Sequence, residues 1–287
     1  LPRVVACSRG FLPSIRDRTL QMKICMVVFT DLPYDFRVYR EVCTLQKSGH
    51  DVTVVSTRFG DESLPPAWQD IDVRLIDIDR TQSLRVLYPR FWQQATKLAS
   101  QERADVYHAH DLDALWPACR AARRNDAALV YDSHELFCEQ SSLVHRPAIA
   151  FSWRLIEGRL IKRAHRVITV APSISTQLQQ TYNLDQAPVV LRNVPPYRKP
   201  VASSYLRQRL GIPTAAPLAL YQGGFLTNNG LAEQITAMQH VDEAAHLALL
   251  GSGPTEQELR DLTSRLGLQD RVHFLPRVPF QALHEVT

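Results

Sequence analysis

Two doubly wound α/β halves with parallel sheets, the second one incomplete, are the fold class this sequence predicts. Three observations carry it. Short apolar, β-branched runs alternate with stretches of helical period from Lys23 onward. These runs are continuously apolar, as expected of parallel strands covered by helices on both faces. A proline-rich stretch, Val194-Pro195-Pro196-Tyr197-Arg198-Lys199-Pro200, interrupts the alternation, which then restarts.

KICMVVFT (Lys23–Thr30) reads as the first strand. Val38, Val42 and Leu45 fall at helical spacing in Val38–Lys47, and Gly49 supplies a C-terminal cap. DVTVVST (Asp51–Thr57) returns as a strand, completing a βαβ unit. VRLIDI (Val73–Ile78), ADVYHAH (Ala104–His110), ALVYDSH (Ala128–His134), RVITVA (Arg166–Ala171) and PVVLRN (Pro188–Asn193) are the next strands. Helical stretches at Leu84–Arg103, Leu112–Arg124, Ala148–Arg163 and Ser173–Tyr182 separate most of them. Beyond the prolines come LALYQGG (Leu218–Gly224), a helix at Leu231–Gln239 and HLALLGSG (His246–Gly253). A helix at Glu256–Leu266 and RVHFLP (Arg271–Pro276) follow. The expected organisation is a tail over 1–21, a first domain over 22–196, a linker over 197–216 and a partial second domain over 217–287. Three strands make a small open sheet, so the second domain is expected to be incomplete.

Composition narrows the function classes. At 287 residues, 45% hydrophobic and 22% charged, the chain is of ordinary globular type. A net charge of +4 is too mild for a dedicated nucleic-acid binder and suits phosphorylated substrates or an anionic membrane surface. None of the five cysteines (Cys7, Cys25, Cys43, Cys119, Cys138) pairs at metal-ligand spacing, which argues against a zinc site and for a reducing, cytosolic compartment. No apolar run is long enough to span a bilayer. Arg3, Arg9, Arg16 and Arg18 interrupt the first 21 residues, which lack a signal-peptide core and read as a tail or as sequence upstream of the true start.

In open α/β sheets ligands bind beyond the carboxyl ends of the strands. Those ends carry Asp31 to Arg37, with Asp35; His108, His110 and Asp111; Asp132, Ser133, His134 and Glu135; Gln222, Gly223 and Gly224; Gly251, Ser252, Gly253 and Pro254; and Arg277 and Val278. Polar residues are usual in such loops, so each ending also fits a purely structural role. His108 and His110, two apart, share a strand face, as structural histidines or as ligand-facing ones. Asp111 reads as a cap for the following helix, and Glu135 as a cap or ion-pair partner. Gly251-Ser252-Gly253 lacks the third glycine of a dinucleotide fingerprint, although its glycines would let backbone N–H groups approach a phosphate. Arg154, Arg159, Lys162 and Arg163, with Trp153 and Leu155, read as a solvated basic face, a membrane-facing helix being the alternative.

From Met22 to Thr287 the pieces together resemble the family 4 glycosyltransferases of GT-B fold, which has two Rossmann-like domains. The resemblance runs through Asp35-Phe36-Arg37-Val38-Tyr39-Arg40-Glu41, Gly49-His50-Asp51-Val52, ADVYHAHD, VYDSHELF, RAHRVITVAPSIS and VVLRNVP. It continues through LALYQGG, GLAEQI, LLGSGP and LGLQDRVHFLPRVP. It implies a retaining enzyme that moves a sugar from a nucleoside diphosphate to a glycan or lipid-linked acceptor, without an essential metal or other cofactor. Nucleic acid is not an expected partner. The donor is expected on the second domain and the acceptor on the first, in a cytoplasmic setting with peripheral membrane contact at the inner face.

By motif, His110 matches the histidine that contacts sugar or acceptor, with His108, His134 and Glu135 in the same acceptor-side set. The loop that holds Asp35 and Arg37 replaces the family's Gly-Gly loop, leaving Arg37 to supply positive charge. In the pattern G-R-x-x-x-x-K-G, aligning Gly223 and Gly230 puts Gly224 where arginine is usual and Asn229 where lysine is usual. Arg192 or Arg277 would then have to compensate. Gly251 to Pro254 match the glycine turn facing the nucleotide, and Arg277-Val278 the segment meeting the base. The family's Glu–seven residues–Glu motif is expected beyond Thr287, so the chain alone is expected to turn over poorly. Two rivals stand beside this reading. One is a non-catalytic nucleotide-sugar-binding or assembly protein. The other is a GT-B sugar epimerase, for which Asp132 and Glu135 are the only paired carboxylates nearby. An NAD-dependent enzyme is disfavoured, because no G-x-G-x-x-G follows the first strand.

Overall fold

A computed structural model of the chain describes residues 21–278 and 283, apart from 60–62, 80, 141–142, 144–145, 195–196, 198, 200–202 and 228. The chain divides into two units, Leu1–Val194 and Pro195–Thr287. The tail through residue 20, Cys7 and the prolines at 195, 196 and 200 lie outside the described residues.

In the first unit the strands are β1 (Lys23–Asp31), β2 (Asp51–Arg58), β3 (Asp72–Asp77), β4 (Val106–His110), β5 (Ala128–Ser133), β6 (Arg166–Thr169) and β7 (Val189–Val190). The helices are α1 (Phe36–Lys47), α2 (Leu84–Glu102), α3 (Asp111–Asn125), α4 (Pro147–Leu160) and α5 (Pro172–Tyr182). All seven strands are parallel, in the order β3-β2-β1-β4-β5-β6-β7. The chain therefore builds outward from β1 to β3, returns to β4 and builds the other way. The junction of β1 and β4 is the switch point, the place where ligands bind in open sheets of this kind.

β1 shows why a continuously apolar strand is needed. Ile24, Met26 and Val28 enter one core with Val38 and Val42 of α1, while Cys25 and Val27 enter the other with Phe91 of α2 and Leu115 of α3. Alternate side chains point to opposite faces, and here both faces are covered. Burial pushes the Cys25 thiol up to about 12, so it is an inert core group.

The second unit has β8 (Leu218–Gly224), α7 (Leu231–Ala237), β9 (His246–Ser252), α8 (Glu256–Arg265) and β10 (Val272–Leu275), with parallel strands in the order β10-β9-β8. It also contains α6 (Tyr205–Leu210), inside the stretch 197–216 expected to be a linker. The reason is burial: Leu206 packs with Ala248, Leu250 and Leu275 against one face of the small sheet, and Gly211 closes the helix at φ 67°.

Among the described residues, no helix is long and apolar enough to cross a membrane. On α4, Trp153 turns inward and meets Tyr88 and Phe137, whereas Ile149, Phe151 and Leu155 are exposed. Arg154, Arg159, Lys162 and Arg163 are exposed too, and Arg154 pairs with Glu139 at 2.5 Å.

Candidate functional site

Strand register alone assembles the core of the site. β4 pairs with β5 so that His110 lies opposite Asp132, and His108 lies two residues earlier on the same face. The two imidazoles stack, with centroids 4.3 Å apart and an interplanar angle of 23°. On the other side of β4 comes the loop after β1. Asp35 caps α1 by accepting from the Val38 amide at 3.0 Å, which fixes where the helix begins. The first turn of α1 then delivers Arg37, and the second turn Glu41, onto the histidines.

Arg37 is buried. Its Nη2 donates to both oxygens of Asp132, each at 2.6 Å, and its Nε donates to Glu41 Oε1 at 3.1 Å. The guanidinium that sequence reasoning offered to a substrate phosphate is thus spent on two carboxylates. Asp132, 1% exposed, is the hub: His108 Nε2 lies 3.8 Å from it, His110 Nδ1 3.8 Å and His134 Nε2 3.6 Å.

His134 follows β5. Its Nε2 is 3.2 Å from His110 Nδ1, and its Nδ1 is 3.1 Å from Asp111 Oδ2. Asp111 also accepts the His134 amide at 2.8 Å, so it staples the two strand-end loops together and does not cap α3 as expected. Asp111 holds φ at 61°, a left-handed conformation that costs a non-glycine residue on the order of 1–3 kcal/mol and persists only where the surroundings enforce it. Glu135 is exposed and receives a hydrogen bond from Gln140 at 2.8 Å.

The charges follow from these contacts. Burial pushes the Asp132 carboxyl up, but the His108, His134 and His110 imidazoles gathered around it overcome that and hold the group well below the usual carboxylate range. Burial, with His108 and His134 adding to it, drives His110 well below its ordinary value, so His110 is neutral. Burial works against protonation of His134 also. There, Asp111 and Asp132 outweigh it and raise the imidazole to about 10, leaving a cation. Burial raises Glu41, partly offset by His108.

His110 was expected to touch sugar or acceptor, but its side chain is fully enclosed. The reason is that His108 stacks on its ring, His134 meets it edge-on and Glu41 lies 3.9 Å from its Nε2. The side chains that retain exposure are His134, Asp111 and Glu41, at 20%, 23% and 28%. Sequence reasoning missed Glu41 and named Asp132 only for a rival reading. The signals were there: Glu41 stands four residues after Arg37 on one helix face, and Asp132 ends the strand beside His110.

The second unit gathers Gly223, Gly224, Asn229, Gly251, Gly253 and Pro254 at the ends of β8 and β9, by a different logic. Gly223 pairs with Gly251, and Gly224 with Ser252. A Cβ built on Gly251 would stand 1.9 Å from the Gly223 carbonyl oxygen, and one on Gly253 2.3 Å from that of Phe225. Both glycines are demanded by backbone against backbone, before any ligand arrives. Asn229 Nδ2 donates to the Tyr221 hydroxyl and to the Gly224 carbonyl, both at 2.9 Å, so the side chain at the position where a lysine is usual orders the loop instead. Arg277 is exposed just past β10, and Val278 packs beside Leu206 and Leu275.

The comparisons with known proteins cover both units. The family model described as Glycosyltransferase Family 4 matches residues 37–193, and that described as Glycosyl transferases group 1 matches 204–287. A 2-deoxystreptamine N-acetyl-D-glucosaminyltransferase of Streptomyces fradiae is 25% identical over 208 residues, 64% of this chain and 47% of that protein. The lipopolysaccharide core biosynthesis glycosyltransferase LpsD of Rhizobium meliloti is 40% identical over 68 residues, 24% of this chain and 20% of that protein. The chain spans about half the length of the first curated relatives it matches, 47% and 45%. Among solved structures, Anabaena HepE in complex with UDP and glucose superposes with a TM-score of 0.66 at 19% identity, over 90% of this chain and 70% of that one. Sucrose-phosphate synthase of Thermosynechococcus elongatus reaches 0.71 at 18% identity, over 92% and 73%. The fold is the GT-B fold expected from the sequence, and with a family model covering more than half of its residues the chain belongs to glycosyltransferase family 4.

Proposed function

We propose that the protein carrying this chain transfers a sugar from a nucleoside diphosphate sugar to a glycan or lipid-linked acceptor, with retention of the anomeric configuration, in the synthesis of a cell-surface polysaccharide or glycolipid. The observation that carries this reading is the tandem order of the two family matches, one on each α/β unit. The acceptor is assigned to the first unit, at the loops after β4 and β5. There His134, Asp111 and Glu135 offer hydroxyl-binding groups, with His110 behind them. The donor is assigned to the second unit, at Gly223, Gly224, Asn229, Gly251 to Pro254, Arg277 and Val278. UDP-sugars are the first donors to test, since HepE was solved with UDP and glucose. The relative acting in lipopolysaccharide core synthesis supports a glycan or glycolipid acceptor.

The chemistry proposed needs no metal. Departing diphosphate would be stabilised by positive groups and backbone N–H groups. Arg37 is already held by two carboxylates, so Arg192, Arg277 and backbone amides are the groups to examine. The work is assigned to the cytoplasm, at the inner membrane face. Exposed Ile149, Phe151 and Leu155 beside Arg159, Lys162 and Arg163 support peripheral contact there.

The test is a panel of UDP-sugars offered with lipid-linked and free glycan acceptors, read by transfer of labelled sugar and by NMR of the new anomeric centre, with and without EDTA. Transfer with retention, unaffected by EDTA, is expected. Epimerised donor would favour the epimerase instead, and donor binding without any turnover would favour a non-catalytic binder.

A further inference from the structure

Among the described residues of the first unit, three buried polar side-chain atoms have no hydrogen-bond partner: Glu41 Oε2, His108 Nε2 and His110 Nε2. An orphaned buried polar atom costs about 1–3 kcal/mol, so three together require an explanation. The pairs nearest to closing are His108 Nε2 with Asp132 Oδ2, at 3.8 Å, and His110 Nε2 with Glu41 Oε2, at 3.9 Å.

The proton positions can be followed from the fixed end. Asp111 accepts, so His134 Nδ1 carries a proton toward it. His134 Nε2 and His110 Nδ1 are 3.2 Å apart, and one of the two must donate. Asp132 Oδ2 stands 3.6 Å from His134 Nε2 and 3.8 Å from His110 Nδ1, but only His134 also has Asp111 at 3.1 Å, and two carboxylates on one ring keep the proton on His134. Then His110 Nδ1 accepts, and the single proton of this neutral ring sits on Nε2, facing Glu41. Glu41 Oε1 is already taken by Arg37, which leaves Oε2 as the acceptor. Closure of that 3.9 Å gap by an ångström completes the line.

We propose that Asp111, His134, His110 and Glu41 form one proton-ordered relay, in which Glu41 is the positioning residue that fixes His110 as its Nε2–H tautomer. The relay runs from Asp111 and His134 at the strand-end loops, through the enclosed His110, to Glu41 on α1, and is partly exposed at both ends. It gives any ligand meeting His134 and Asp111 a fixed pattern of donors and acceptors. The catalytic use of the relay rests on the transfer reading above; its proton order does not.

Two members of the relay, Glu41 and His110, also bring one ligand atom each within 4.8 Å of His108 and Asp132, so a bound metal is the competing account. Arg37 argues against it: a guanidinium is already seated on both carboxylates. A metal would also need His110 Nε2 without its proton.

Glu41→Gln is nearly isosteric and discriminates sharply. Arg37 can only donate, so the amide must turn its oxygen to Arg37 and its NH2 to His110. Donor would then face donor, and His110 must move its proton to Nδ1, which in turn strips the proton from His134 Nε2. Imidazole nitrogen NMR on the native protein is expected to show His110 protonated at Nε2 alone and His134 at both nitrogens. In Glu41→Gln, His110 is expected to be protonated at Nδ1 alone. For the transfer reaction, kcat is expected to fall on the order of tenfold with donor KM nearly unchanged. A native His110 protonated at Nδ1, an unchanged tautomer in a folded Glu41→Gln, or one equivalent of tightly held zinc in the purified protein would each overturn the relay. The native spectrum decides even if the variant fails to fold. The stated proton order in a protein without transferase activity would sink the functional reading and leave the relay standing.

Discussion

The strand ends of the two units serve the same fold position with opposite materials. In the first unit the ends of β4 and β5 are crowded with charge: Arg37, Glu41, Asp111, Asp132 and three histidines hold one another. In the second, the ends of β8 and β9 are mostly glycine and neutral groups, fitted backbone against backbone. The first arrangement is set by electrostatics, and every member depends on several others. The second is set by volume, and a single methyl group is enough to disturb it. A side-chain wall can be retuned by changing protons or partners; a glycine turn is either intact or displaced.

The sharpest way to break the first arrangement is to remove its hub. Asp132→Ala leaves Arg37 and three imidazoles facing an empty space, with the guanidinium buried. Removing one partner of a buried ion pair costs about 3–5 kcal/mol, because the remaining charge is uncompensated. Chemical denaturation of the native protein and of Asp132→Ala should therefore differ by that amount. A loss below about 1 kcal/mol, the scale of an exposed pair, would mean that the network is wet and loosely held.

The second arrangement should break under the smallest possible side chain, and unevenly. Gly251→Ala forces a Cβ to within 1.9 Å of the Gly223 oxygen, so β8 and β9 must part at their ends. Overpacking of this kind costs about 1–3 kcal/mol. Gly224→Ala is the internal control: its Cβ would meet nothing closer than Leu226 at 3.6 Å, an ordinary contact. Paired thermal melts should show Gly251→Ala clearly lowered and Gly224→Ala near native. Equal losses would show that the glycines matter for loop flexibility rather than for room.

The same contrast explains what was legible in the sequence. All ten strands among the described residues were readable, because each lies in a short, mostly apolar run bounded by polar or glycine residues. The helix at Tyr205–Leu210 was not, since six residues after a proline-rich stretch give too little periodicity and only the tertiary burial of Leu206 reveals it. The site residues were largely nameable, because they stand at strand ends. Their partners were not. Nothing in the order of residues says that Arg37 is 2.6 Å from Asp132, ninety-five positions on, and that single contact changes Arg37 from a phosphate ligand to an internal counter-ion. Spacing reports which face a side chain shares, whereas its charge state depends on what the neighbouring strand and helix bring to it.

Histidines in the second unit offer the mildest test, and they show that even there charge is not wholly absent. His246 on β9 and His273 on β10 stack at 5.2 Å, with Nδ1 and Nε2 3.0 Å apart. Burial lowers the His273 imidazole below its ordinary 6.5, His246 lowers it further, and Asp270 partly opposes both. The sign follows. A base whose folded pKa is depressed stabilises the fold above its unfolded value, and that contribution is lost as pH falls through 6.5 toward the lower folded value. His273 is only half-buried, so solvent screens much of the effect, and the expected fall in Tm between neutral and mildly acidic pH is on the order of 1–2 °C. His273→Gln keeps a hydrogen-bonding side chain without a titrating proton, and should flatten that part of the pH profile. The first unit provides the contrast, because His134 is held as a cation by two carboxylates and has no reason to lose stability over the same range. If His273→Gln left the acid-side decline untouched, the pH sensitivity of the second unit would have to come from its other histidines or its carboxylates, and His273 would be a packing contact alone.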